Sequence, residues 1–269
     1  MTSKNRTKVK SRKEAFVEKT ETRICYEEPS DDNPYITKNN HCHGYNILEL
    51  AKKRSFVDVM YLLFRGELPT AENARILEHL MIALINPGPR HPATRAAMNT
   101  GVGKTDPAHI LPISLTIMGG EHSGASEVEP SMRFLRKNRN IPVNEVIDLL
   151  LKEKINDEKL LTPGFGSKFG SIEILPQKFV NQILQLPGDH HTLTWANEFC
   201  KKMNVFNIGW LPTGLAAAVL SDLGFQPRTC IGIFQLLSAP GLLAHGMELA
   251  NKPVTAMPFI SDENYVIEE

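Results

Sequence analysis

Apolar residues in this chain recur at helical spacing in segment after segment, and most segments are bounded by a recognisable start or stop signal. Ile76, Leu77, Leu80, Met81 and Leu84 share one face behind a Thr70 cap, and Pro87-Gly88-Pro89 ends that run. Ser55, with Asp58 three residues on, predicts a capped start for VDVMYLLFRG, and Gly66 ends it. AHILPISLTIM stops at Gly119-Gly120. SEVEPSMRFLRK, VNEVIDLLLKEK, LPQKFVNQILQL and HTLTWANEFCKKM follow. The last third, LPTGLAAAVLSDLGF and TCIGIFQLLSAPGLLAHGMELANK, reads as two apolar helices whose small residues allow close helix packing. Pro240 is expected to kink or break the second of these. Near the start, TRICYEEPSDDNPYITKNNHCHGYN reads as two short extended segments around a Pro/Asp/Asn turn. The expected fold class is all-α, with β structure confined to short extended segments near the N-terminus.

Composition removes several classes of function. Thirty basic and thirty acidic residues cancel, so the molecule has no general attraction for nucleic acid or an anionic membrane. No run of about 18 apolar residues is present, and no apolar stretch follows the charged first residues. The scattered cysteines Cys25, Cys42, Cys200 and Cys230 suit free thiols in a reducing compartment, giving a cytoplasmic expectation. Residues 1 to 23 hold eight Lys or Arg against three Glu and read as a solvated, partly disordered tail.

Few motifs stand out. His41 and His43 flank Cys42 and would share a strand face, but no third or fourth ligand is near, so no metal site is expected. His190-His191 reads as polarity at a helix start. Gly101-Val102-Gly103-Lys104-Thr105 lacks the spacing of a phosphate loop. Three glycine-framed places remain, GGEHSGA, PGFGSKFG and PGLLAHGMEL, and their order along the chain carries more than any one of them.

HCHGYNILELAKKRSFVDVMYLLFRGELPT, residues 41 to 70, resembles the N-terminal block R-G-Y-x-I-x-x-L-A … S-F-x-x-V-x-x-L-L … G-x-L-P-T of the citrate synthase superfamily. GGEHSGASE is similar to G-x-x-H-G-G-A-x-E, PGFGSKFG to P-G-F-G-H-x-x-Y, and LLAHGMEL to A-H-x-x-E. The resemblance covers roughly residues 36 to 250 in the right order, and the compact length resembles the citryl-CoA lyase branch. It implies a two-domain all-α fold: a large helical domain over 36–124 and 225–269, a smaller inserted helical domain over 125–224, and residues 1–35 as a basic, partly disordered tail. It also implies a homodimer, no tightly bound cofactor, and C–C bond chemistry between an acyl-CoA and an oxo acid. His122 matches the histidine that hydrogen-bonds the enolate oxygen, with His91 as a second catalytic candidate. Gly166, Ser167 and His245 fall on the substrate-binding motifs.

Departures from the family pattern are equally specific. Ser167 stands where P-G-F-G is followed by histidine, and His43 replaces the arginine of R-G-Y. The N-V-D segment that supplies the base aligns with NVFNIGW or FNIGWLP, with Gly209 in place of Asp. Ser238 replaces the arginine seven residues before the A-H histidine, and Asn86-Pro87 fall where Asp-His-Gly is usual, with His91 four positions late. Loss of a positioned general base typically costs about 10²–10⁴-fold in rate. Glu121 or Glu127 could substitute, although each also reads as a loop or helix-end carboxylate. Two functions follow: a divergent acyltransferase or lyase, or a catalytically degenerate relative acting as a binding or regulatory subunit.

Overall fold

A computed structural model describes residues 20–120, 123–154 and 162–268. Most of the basic tail, together with Glu121 and His122, lies outside the described residues. The chain divides into two compact units, one ending at Glu67 and the other starting at Leu68.

The first unit begins with the expected extended segments. Strands β1 (Cys25–Pro29), β2 (Thr37–Cys42) and β3 (Tyr45–Asn46) form an antiparallel sheet in that order, with Cys25 opposite Cys42. His43 and Gly44 both have positive φ, +47° and +86°, as a two-residue hairpin turn requires. That turn separates the two histidines: His41 packs its ring on Tyr26, while His43 Nε2 lies 3.3 Å from the Leu63 carbonyl. Asn46 then caps α1 (Ile47–Lys53), accepting from Leu48 and Glu49. The predicted capping box opens α2 (Phe56–Arg65), with Ser55 and Asp58 bonded reciprocally, and left-handed Gly66 ends it.

The second unit is a helical assembly: α3 (Ala71–Leu84), α4 (Pro92–Val102), α5 (Ile110–Met118), α6 (Val128–Asn138), α7 (Val143–Lys154), α8 (Ile174–Ile183), α9 (His191–Met203), α10 (Pro212–Asp222) and α11 (Pro227–Ala250). Two further strands, β4 (Phe165–Gly166) and β5 (Gly209–Trp210), pair antiparallel. Thr213 through Ser221 are all buried, which makes α10 the centre of the core; it packs on α6, α9 and α11. Rings of Phe134, Phe165, Trp195, Phe199 and Trp210 join α6, α9 and the β4–β5 pair, with Trp195 stacked on Phe199 at 5.5 Å. Asp222 caps α9 from a distance, accepting from the Thr192 and Leu193 N–H groups at 2.7 and 3.0 Å. Burial pushes its carboxyl above the ordinary range, and those hydrogen bonds oppose the rise.

Close packing of small residues is realised where α4 crosses α11. A Cβ on Gly101 would run into the Gly246 carbonyl, and one on Gly246 into Ile110. Lys104, in the stretch that faintly suggested a phosphate loop, donates instead to the Ala250 and Lys252 carbonyls at 2.6 Å and so closes the C-terminus of α11. Pro240 does not break α11, which stays helical across it. The neighbouring Gly241 N–H donates to the Ile85 carbonyl at 3.0 Å, giving the helix a tertiary acceptor beside the proline. By length and composition α11 could cross a membrane, yet Cys230, Ile233, Phe234, Leu237, Leu242 and Leu249 are buried within this unit.

Candidate active site

Three loops and α11 build the site. After α3, Asn86 Oδ1 accepts the Gly88 N–H at 2.9 Å, with Gly88 at φ +83°, and the turn delivers His91 to the start of α4. His91 is the N-cap: its Nδ1 accepts the Ala93 N–H at 3.1 Å, leaving Nε2–H to donate to the Ser123 carbonyl at 3.2 Å. Burial lowers the affinity of this imidazole for a proton; the Ser123 bond opposes that, and the Lys168 charge lowers it further. His91 is therefore a neutral, doubly engaged ring. His245 on α11 does not reach the cavity surface. Its Nε2 lies 3.2 Å from Asn86 Oδ1, so it steadies the residue that does.

The small residues of GGEHSGA are required by packing. Gly119 ends α5, where Gln235 of α11 donates to the Leu115 carbonyl at 2.8 Å. Ser123 has φ +57°, and a Cβ on Gly124 would collide with the Gly120 and Met118 carbonyls. Ser126 Oγ donates to the Gly120 carbonyl at 2.8 Å. The backbone at Gly120 and at Gly124 is thus tied down. Glu127 is fully committed: it accepts the Gly164 N–H at 3.1 Å and the Thr213 hydroxyl at 2.7 Å.

That clamp holds the PGFG turn. Gly164, at φ +82°, sits so close to Gly214 of α10 that neither could carry a side chain. Gly166 pairs with Gly209, and Ser167 is exposed. Lys168 bonds reciprocally with Ser171 through the backbone, and its ammonium lies 3.0 Å from Glu173 Oε1. At Gly209, the expected location of the missing carboxylate, a Cβ would strike the Ile172 side chain. An apolar group fills that space.

These segments enclose a cavity of about 270 Å³. Among the described residues, its polar lining comprises Asn86, His91, Ser123, Lys168, Glu173 and Ser238, and the others are apolar. Of the residues singled out in the sequence, Asn86, Pro87, His91 and Ser238 line it directly, His245 acts at one remove, and Gly166 and Ser167 are not on it. Lys168 and Glu173 were missed. The only signal for them was their position just after the PGFG turn, and their pairing depends on the turn at Phe169 and Gly170. Among the described residues the arrangement offers one ammonium, one carboxylate, several neutral hydrogen-bonding groups and many apolar side chains.

A family model described as citrate synthase, C-terminal domain, matches residues 16–139, just under half of the chain. No curated protein sequence matches the chain significantly. Among solved structures, citryl-CoA lyase from Hydrogenobacter thermophilus is similar at 21% identity and TM-score 0.75, over 93% of this chain and 94% of that one. ATP citrate lyase from Methanothrix soehngenii, in complex with citrate and coenzyme A, is similar at 15% identity and TM-score 0.71, over 94% of this chain and 44% of that one. Citrate synthase from Thermotoga maritima is similar at 14% identity and TM-score 0.52, over 93% and 94%. The fold these matches define is that of the citrate synthase superfamily. Over most of its length the chain shares this fold with the citryl-CoA lyase structure.

Proposed function

We propose that this chain binds an acyl-CoA thioester and an oxo acid and makes or breaks the C–C bond between them. The observation that carries the reading is convergence. Asn86, Ser123 and Ser238 stand in three separate segments aligned with family motifs, Asn86 and Ser238 as substitutions in them, and all line one cavity. In the proposed chemistry, His122 hydrogen-bonds the thioester oxygen as the α C–H bond breaks. The electron pair moves onto that oxygen as an enolate, and the proton passes to a carboxylate. Glu173 is the carboxylate among the described residues that line the cavity. His91 acts by positioning Ser123, next to His122 in the chain. No tightly bound cofactor is required.

A second reading is favoured by Gly209 and Ile172. With an apolar side chain where the family base is expected, the protein would keep the fold and the ligand cavity but serve as a binding or regulatory subunit. Calorimetric titration with CoA, acetyl-CoA and oxaloacetate, singly and in pairs, followed by a C–C bond assay, separates the two. Ligand binding with turnover that His122→Ala abolishes supports the enzyme. Binding without turnover supports the subunit. A folded protein that binds none of these compounds overturns both.

The same reading makes the molecule a homodimer. Ile113 and Ile117 of α5 and Leu236 and Leu243 of α11 are large apolar side chains left exposed on helices that pack together. Sedimentation equilibrium should return twice the 30.1 kDa chain mass, and Leu236→Glu should shift it to one. Free thiols, including exposed Cys25, suit a cytoplasmic setting.

A further inference from the structure

Resting on the reading above, we propose that the oxo acid taken by this cavity is a monocarboxylate with an apolar side chain, not a dicarboxylate. The charge inventory points there first. Among the described residues lining the cavity, Lys168 is the one cation, and Glu173 at 3.0 Å already answers part of its charge. An ammonium has three donors, so Lys168 can hold Glu173 and still bind one ligand carboxylate. Among the described lining residues no second cation is left to face another carboxylate stripped of water, which is a large penalty.

The second line is the rest of the described lining. Ser238 is 1% exposed on α11, and Phe234 one turn earlier is 3% exposed, so this face of the helix presents a ring and a small hydroxyl. Leu84 of α3, Met118 of α5 and Leu215 of α10 line the same cavity, each nearly buried. A surface of this kind binds alkyl or aryl carbon, not a second anion. The described lining therefore offers a carboxylate one cation, Lys168, offers an apolar chain the side chains of Phe234 and Leu215, and offers a carbonyl the neutral Asn86.

The test is calorimetric titration of the full chain, with CoA present, by 4-methyl-2-oxopentanoate and by oxaloacetate. The monocarboxylate should bind about tenfold or more tightly than oxaloacetate. Lys168→Gln should weaken the monocarboxylate about tenfold or more while the melting temperature holds, and Ser238→Arg should raise relative affinity for oxaloacetate. Equal or tighter binding of oxaloacetate by the unaltered protein, or indifference of both acids to Lys168→Gln, overturns the inference. If CoA binds and neither acid does, this inference fails and the CoA site stands. If neither CoA nor either acid binds the folded protein, the reading beneath it fails as well.

Discussion

His91 joins the start of α4 to the Ser123 carbonyl, accepting the Ala93 N–H through Nδ1 and donating through Nε2 at 3.2 Å. Cap and tether can be separated, because asparagine caps a helix well but is too short to span to Ser123. His91→Asn should hold stability within about 1 kcal/mol of the parent while weakening CoA-thioester affinity. His91→Ala should lose the cap as well, costing about 0.5–2 kcal/mol in urea unfolding. Unchanged affinity in the asparagine variant would remove the tether from any part in ligand binding.

The same imidazole makes stability depend on pH. Burial first, then the Lys168 charge, hold its proton affinity below the ordinary value of 6.5. Below that pH the unfolded chain takes up a proton that the folded one refuses, so the unfolded state binds more protons. The contribution is present above about pH 6.5 and is lost as pH falls toward the folded value. Melting curves from pH 7.5 down to pH 5 should fall more steeply for the parent than for His91→Asn. Parallel curves would show that His91 is not the group responsible.

Glu127 ties the loop after α5 to the PGFG turn and to α10. Removing it leaves the Gly164 N–H and the Thr213 hydroxyl without their acceptor, and hydrogen bonds to a charged group contribute about 1.5–3 kcal/mol each. Glu127→Ala is expected to destabilise by about 2–4 kcal/mol in chemical denaturation. A loss under about 0.5 kcal/mol would mean that water replaces the carboxylate at little cost.

Gly101 faces the Gly246 backbone, which cannot rotate aside as a side chain would. Gly101→Ala should force α4 from α11 and cost about 1–3 kcal/mol, despite alanine's better helix propensity. A stabilised variant, read by thermal melting, would show that the two helices have room to separate.

What could be read in advance was local. The Ser55–Asp58 box, the Thr70 cap and the Gly66 stop involve groups within a few residues, so their signal lies in the sequence itself. Helix α4 gave no apolar stripe because its buried residues, Ala93, Thr94, Ala97, Thr100, Gly101 and Val102, are mostly small, with burial set by α11 and α5. Pro240 leaves α11 unbroken, and the Ile85 carbonyl that takes the neighbouring Gly241 N–H comes from far along the chain. The site divided the same way. His91 was found through its neighbourhood, whereas Lys168 and Glu173 become a pair only through the positive-φ turn at Phe169 and Gly170.

Helix α11 meets its neighbours in strict succession: Gln235 holds Leu115, Ser238 faces the cavity, Gly241 takes the Ile85 carbonyl, His245 meets Asn86 and Gly246 admits α4. It works as a ruler with marks on both sides of a single rod. Inserting or deleting one residue before Gln235 would turn every later mark by about 100°. The anchors of two cavity loops and the wall between them would then fall out of phase together. The site can be retuned one side chain at a time along this rod, but its length is fixed.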